Sequence, residues 1–184
     1  MNNVSNKIAI IGGGPAGIQA ALTLNRWGLD VMMFTRPLPD CPNVRVPLLN
    51  EMQRPTVDIA RSNIQEFHSK HIQTLVGDVT AIWNKVGNGF FVECQSYLYR
   101  ASHIIIATGA PGPDKRLDLR DFEDLSFDGE GRIITDDNYS TEYHRLYVIG
   151  EAASDYVRTL SCALGMGDGV ARMIARQVTK SLVA

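Results

Sequence analysis

Lys7 to Gly28 reads KIAIIGGGPAGIQAALTLNRWG, and the order of its parts decides the fold class. Lys7 to Gly12 is a short apolar run rich in β-branched residues that ends in glycines. Such runs mark strands of a parallel sheet covered on both faces, where alternation is lost. Gly12, Gly14 and Gly17 then satisfy the pattern GxGxxG. That spacing alone is weak, and the strand before it and the helix after it give it weight. Gly12 allows the tight turn, Gly14 lets backbone approach a pyrophosphate, and Gly17 lets the helix pack closely on the strand. Pro15 suits a helix's first turn, where its missing N–H costs nothing. Ile18, Ala21, Leu22 and Leu24 space one buried face up to a stop at Gly28. The helix N-terminus offers N–H groups and a partial positive charge to a phosphate. This is a dinucleotide-binding turn.

Three further runs resemble the first: Asp30 to Phe34 (DVMMF), His103 to Ala107 (HIIIA) and Arg145 to Gly150 (RLYVIG). Together they predict an α/β fold, a Rossmann-like parallel sheet with helices. Pro55 to His71 reads as a second helix with Ile59, Ile64 and Phe67 on one side. Between Ile72 and Arg100 the period becomes that of strands. Gly87-Asn88-Gly89 is a hairpin turn there, since these residues tolerate positive φ. A small antiparallel β-meander before the HIIIA strand is expected. Ala110 to Gly131 reads as a connector, and a closing helix runs from about Tyr156 to Leu182, with Leu160, Leu164, Ile174 and Val178 inside. Thr35 to Gln53 is a proline-rich loop with no readable element. An acid at the end of the second strand would grip a ribose, but Thr35 and Arg36 stand there. An arginine could meet the extra phosphate of NADP, an adenosine phosphate, or only solvent. The turn by itself leaves FAD and NADP both open.

Three segments taken together resemble the FAD-binding half of the thioredoxin reductase branch of the pyridine nucleotide–disulfide oxidoreductases. They are IIGGGPAG (Ile10–Gly17), HIIIATGA (His103–Ala110) and LYVIGEAASDYVRTLSCALGMGDGVARMIA (Leu146–Ala175). The resemblance covers nearly the whole chain and favours FAD as the cofactor. It implies that Gly12, Gly14 and Gly17, with Pro15 and Ala16 between them, line the FAD pyrophosphate. Thr35 and Arg36 follow the second strand at the adenosine end. Val79 would touch the adenine through its backbone, and Ala107, Thr108 and Gly109 would pass the adenosine diphosphate. Gly150-Glu151 stands where the family has Gly-Asp, one methylene shorter, beside the ribityl chain or pyrophosphate. Arg158, Thr159 and Leu160 align with the family's Arg-Gln-Ala, where a helix N-terminus faces the flavin pyrimidine edge. A dipole so placed stabilises the negative charge of a reduced flavin.

The same family carries a second dinucleotide domain between its Ala-Thr-Gly strand and its C-terminal motif. Here that interval is only Ala110 to His144, without a second GxGxxG and too short for another βαβ sheet. Phe122 to Asp137 (FEDLSFDGEGRIITDD) resembles the end of the missing domain, and the redox-active CxxC is absent. The expectation is a single FAD-binding domain over 1–184, with 110–144 in place of the NADPH domain. Its 184 residues suit one domain at about 150 residues each. A net charge of −2 gives no electrostatic footprint for nucleic acid or anionic membrane.

The polar N-terminus is no secretory signal. Cys41, Cys94 and Cys162 form neither a disulfide framework nor a metal knuckle, so a cytoplasmic location with reduced thiols and no metal is expected. Cys41 lies in a loop that the family brings near the flavin ring, and the bland reading is a thiol with no role. Cys94 and Cys162 read as small buried hydrophobes. No catalytic residue is identified. The leading function is a minimal FAD-dependent oxidoreductase, its electrons supplied by a separate donor protein or a small-molecule reductant, working as a homodimer. A non-catalytic FAD-binding subunit or redox sensor is the alternative of another class, and an NADP-binding Rossmann module is the third.

Overall fold

A computed structural model of the chain describes residues 7–37, 54–85, 89–110, 112–113, 117–154 and 159–183. Its frame is a five-stranded sheet in the order β3-β2-β1-β7-β8. The strands are β1 (Ile8–Ile11), β2 (Val31–Thr35), β3 (Gln73–Val76), β7 (His103–Ile106) and β8 (Leu146–Val148). Every neighbouring pair is parallel. All residues of β1, β2, β7 and β8 are buried, which is why these strands read as continuous apolar runs.

Helix α1 (Pro15–Arg26) returns the chain from β1 to β2. Ile18, Ala21, Leu22 and Leu24 are all buried, as their spacing predicts. Helix α2 (Arg54–Ser69) leads to β3, and α3 (Leu160–Val183) closes the chain against α1. A hydrogen-bonded chain of side chains joins the three helices. Asn63 Nδ2 donates to Gln19 Oε1 (2.6 Å) and Gln19 Nε2 to Thr23 Oγ1 (3.1 Å). Thr23 Oγ1 then donates to Asp168 Oδ1 (2.8 Å), whose other oxygen accepts from Arg172 Nε (2.6 Å). Burial pushes the Asp168 carboxyl up, but the bonds from Arg172 and Thr23 outweigh that and hold it below the usual carboxylate range.

The meander is present as β4 (Val79–Lys85), β5 (Gly89–Cys94) and β6 (Tyr97–Ala101), antiparallel throughout. The β4–β5 ladder closes at the Lys85–Gly89 pair, on either side of the expected hairpin turn. Gly89 has φ +78, while Gly87 and Asn88 lie outside the described residues. The β5–β6 turn is made by Gln95 and Ser96, both with positive φ. In the connector between β7 and β8, Leu117, Phe122, Leu125 and Ile133 are buried. Phe122 stacks on Phe90 of β5 (6.3 Å) and meets the Tyr143 ring edge-on (4.9 Å). Among the described residues this connector holds turns, bends, isolated bridges and a 3-10 position at Pro113.

Several expectations need correction. The segment 72–100 is not all meander: its first strand, β3, joins the parallel sheet as an edge strand beside β2. Its mostly exposed QTLV sequence carries no buried-strand signal because an edge strand keeps water on one side. Ile59 is exposed, and the buried face of α2 runs instead through Ala60, Asn63, Ile64 and Phe67. Among the described residues helix α3 begins at Leu160, and Tyr156, near which the sequence places its start, lies outside them. Thr159 stands just before it, and its Oγ1 accepts from Cys162 N–H (3.2 Å) as an N-cap hydroxyl does.

His103, the first residue of β7, is a buried imidazole whose Nδ1 lies 2.8 Å from the Ser102 hydroxyl. Burial pushes its pKa down to about 4, helped by the neighbouring positive Arg145 and by His144. Its folded pKa is thus below the unfolded 6.5, so the unfolded chain binds the proton more tightly. The neutral imidazole contributes stability that is complete above about pH 6.5 and is lost as pH falls toward 4. Across that window the loss is about 3 kcal/mol. Denaturant melts between pH 7 and 4 should show this slope, and His103→Gln should flatten it. A variant as steep as the parent would refute the assignment.

Candidate functional site

The site grows from the C-terminal edge of the parallel sheet. After Ile11 the chain turns at Gly12, whose N–H donates to Phe34 O (2.8 Å). Gly12 has φ +119, and a Cβ there would drive into the backbone carbonyl of Ala107 on the next strand. A Cβ on Gly17 would strike the Gly12 carbonyl, so these two glycines let turn, helix and strand approach one another. Gly14 differs. It is the extended N-cap of α1 (φ −73, ψ 176), has no side-chain cap, and a Cβ there would meet nothing within 4 Å. The first intrahelical bond runs from Ile18 N–H to Gly14 O (2.9 Å). The N–H groups of the first turn have no intrahelical acceptor, and the helix dipole adds partial positive charge there.

Beside this turn lies a cavity of about 560 Å³, within the range of small-molecule sites. One end is walled by Gly12, Gly13, Gly14 and Ala107, Thr108, Gly109. The other end is walled by Thr35, Arg36, Pro37 and Gly77, Asp78, Val79, Thr80, with Leu117 from the connector. In strand order β1 is flanked by β2 on one side and by β7 on the other. The cavity therefore sits where successive connections leave the sheet in opposite directions, the crevice in which open α/β sheets bind ligands.

Of the residues expected at a cofactor, Gly12, Gly14, Thr35, Arg36, Val79, Ala107, Thr108 and Gly109 come together in this wall. Pro15, Ala16 and Gly17 stand behind it in the first turn of α1. Gly150 (φ +66) reaches that same turn, since a Cβ there would come within 3.3 Å of Ala16 Cβ. It opens a single 3-10 turn, Gly150–Ala152, that carries Glu151. Glu151, Thr159 and Leu160 lie outside the cavity wall, Glu151 in that turn and the other two at the start of α3. Arg158 and Cys41 fall outside the described residues. Gly167 is buried against α1, whereas Gly165 and Gly169 are exposed.

Two polar residues behave differently from expectation. Thr35 is buried, and its hydroxyl donates to its neighbour Arg36 O (2.8 Å), so it offers the cavity backbone. Arg36 is not an isolated cation awaiting a phosphate: its Nε donates to Asp78 Oδ1 at 2.8 Å on the cavity rim. Asp78, Thr80 and Leu117 also line the cavity, and the sequence assigns none of them a role. A Gly77-Asp78 step directly after a strand was the available signal for the first two; Leu117 had none. Its place is fixed by the connector pairing with β4, where Asp118 N–H donates to Thr80 O (2.8 Å) and Ile82 N–H to Asp118 O (3.1 Å).

Cys94 sits behind Gly77, buried, and burial followed by the Asp78 carboxylate pushes its thiol pKa up. It is held as a thiol and is a poor nucleophile. Among the described residues no group of three or more His, Cys, Asp or Glu side chains converges on a metal position. No helix among them is long and apolar enough to cross a membrane.

Residues 6–124 match the model of the pyridine nucleotide-disulphide oxidoreductase family. The chain belongs to that family. Its fold is shared with solved thioredoxin reductases of low sequence identity. The enzyme from T. acidophilum aligns over 95% of this chain and 100% of its own, at 12% identity and a TM-score of 0.69. That from Lactococcus lactis aligns over 96% and 100%, at 14% identity and 0.70. A ferredoxin-flavin thioredoxin reductase from Clostridium acetobutylicum aligns over 97% and 99%, at 14% identity and 0.72. No curated protein matches the sequence. The family is one of flavin-dependent oxidoreductases.

Proposed function

We propose that this chain is a single FAD-binding domain over 1–184 that works as a minimal oxidoreductase. In this reading it takes its electrons from a separate donor protein or a small-molecule reductant. The observation that carries the reading is the cavity at the sheet's switch point, bounded at one end by Gly12–Gly14 and Ala107–Gly109. The residues present fit the adenosine diphosphate half of the cofactor. Gly14 leaves its face open to a pyrophosphate, and the first turn of α1 aims N–H groups and dipole at it. Val79 and Thr80 wall the adenine end. Gly150 packs against Ala16 behind that turn, and in this reading Glu151 beside it stands on the side of the flavin half. Bound FAD would supply the redox chemistry; the chain's residues bind it, orient it and keep one side dry.

The donor is inferred from the interval between β7 and β8. Residues 110–144 stand in place of the family's nicotinamide domain, and among the described ones there is no further βαβ unit to hold NADPH. A neighbour of the same fold is named for both ferredoxin and flavin. A second copy of the chain would cover the flavin face left open by the missing domain, so a homodimer belongs to the same reading.

The test is the absorption spectrum of the purified protein, followed by NADPH under nitrogen. Flavin bands that stay oxidised are the expected result. Rapid bleaching by NADPH alone would overturn the separate-donor reading. A colourless protein that binds NADP and refuses FAD would overturn the cofactor.

A further inference from the structure

Asp78 and Arg36 come from the ends of two neighbouring parallel strands, 42 residues apart in sequence, and meet on the rim of the cavity. Dinucleotide folds of this kind hold the adenosine ribose with a carboxylate at the end of the second strand. Here that position carries Thr35, whose hydroxyl is turned back onto its own chain, and then Arg36. Strand β3 lies directly beside β2 in register, with Thr35 paired to Val76. Gly77 N–H donates to Thr35 O (2.9 Å), so the chain leaving β3 is tied to the end of β2. That tie brings the next residue, Asp78, onto the same stretch of cavity wall as Thr35 and Arg36. A carboxylate lost from one strand end is present on its neighbour.

The pair itself adds little to stability. Both side chains are more than two-thirds exposed, where ion pairs contribute about 0–1 kcal/mol. Its consequence is orientation. Arg36 Nε engages Asp78 Oδ1, which biases the orientation of the carboxylate and leaves Oδ2 to accept from another donor.

We propose that Asp78, oriented by Arg36, accepts the adenosine ribose 2′-hydroxyl and makes the cavity refuse an adenosine carrying a 2′-phosphate. This rests on the FAD reading above. A 2′-phosphate would face the Asp78 carboxylate at close range, and the arginine that could neutralise it is already engaged. Arg36 is a positioning residue here, and Asp78 the group that touches the cofactor.

The experiment measures affinity by flavin fluorescence on apoprotein, using FAD, FAD lacking the adenosine 2′-hydroxyl, and as competitors ADP and ADP bearing a 2′-phosphate. The parent should bind FAD about ten- to hundredfold more tightly than its 2′-deoxy form, the range of one charge-assisted hydrogen bond. Asp78→Ala should bind the two forms alike and should compete better with 2′-phospho-ADP, because Arg36 is released. Asp78→Asn, which keeps an acceptor without the charge, should regain part of the deoxy discrimination but not the refusal of phosphate. A parent that binds FAD yet treats both forms equally, or an Asp78→Ala protein that still discriminates, would overturn the ribose assignment alone. A parent that binds no FAD would overturn the cofactor reading with it.

Discussion

Gly14→Val should give a folded protein that holds FAD about ten- to hundredfold more weakly, whereas Gly12→Val should lose stability and flavin together. Both glycines belong to one motif, yet their surroundings differ. Gly14 has an extended conformation open to any residue, and a Cβ there meets nothing within 4 Å. Replacing an N-cap glycine costs the helix only about a few tenths to 1 kcal/mol. A chain of this size melts about 2–4 °C lower for each 1 kcal/mol, so the melt should barely move. The isopropyl group would stand in the cavity where the backbone must approach a phosphate. Overpacking of about 1–3 kcal/mol there lowers FAD affinity about ten- to hundredfold.

Gly12 has φ +119, and its Cβ would enter the Ala107 carbonyl. Backbone strain of about 1–3 kcal/mol adds to a clash of similar size. The total of about 2–6 kcal/mol is a large part of a typical stability of about 5–15. The melts must compare apoproteins, because bound FAD would stabilise only the forms that retain it. Equal flavin content in the parent and Gly14→Val would sink the assignment of this turn to the pyrophosphate.

Which parts of this structure can be read from sequence follows from what each residue's neighbours are. The strands β1, β2, β7 and β8 and the buried face of α1 are legible because local composition determines them: apolar runs for covered strands, a helical period for a covered helix. The GxGxxG turn is legible because Gly12 and Gly17 meet backbone that is fixed by β1 and β7. Edge strand β3 is not, since exposure removes the apolar pattern that would mark it. Nor is Ile59, one position off the Ala60–Ile64–Phe67 stripe and left in water. The rim of the site is the hardest case. Arg36 read alone suggests a phosphate clamp, and only the β2–β3 register reveals that Asp78 meets it. Leu117 reaches the cavity through a bridge between the connector and β4, a non-local pairing with no local signature.

The three glycines of α3 extend the same logic to stability. Gly167→Leu should destabilise the chain, while Gly165→Ala and Gly169→Ala should strengthen it. Gly167 is buried where α3 crosses α1. A Cβ there would run into the Ala16 carbonyl and come within 3.0 Å of Gln19 Cβ and 3.1 Å of Ala20 N. Two of these three obstacles are backbone and cannot swing aside, so α3 itself must shift. Such overpacking costs about 1–3 kcal/mol, partly offset by leucine's better helix propensity, about 1 kcal/mol. The shift would also stretch the Thr23–Asp168 hydrogen bond one residue further along.

Gly165 meets nothing within 4 Å, and Gly169 only the Tyr139 ring at 3.6 Å. Alanine at either should add about 0.5–1 kcal/mol, because it freezes an entropy that glycine loses on folding. Since Ala16 and Gly17 lie in the first turn of α1 behind the cavity wall, Gly167→Leu should also weaken FAD retention, although residue 167 touches no part of that wall. Melting and flavin content measured on the three variants together separate the two effects. If Gly167→Leu proved as stable as Gly165→Ala, the close α1–α3 crossing would be wrong, and with it the mechanical link from the closing helix to the phosphate turn.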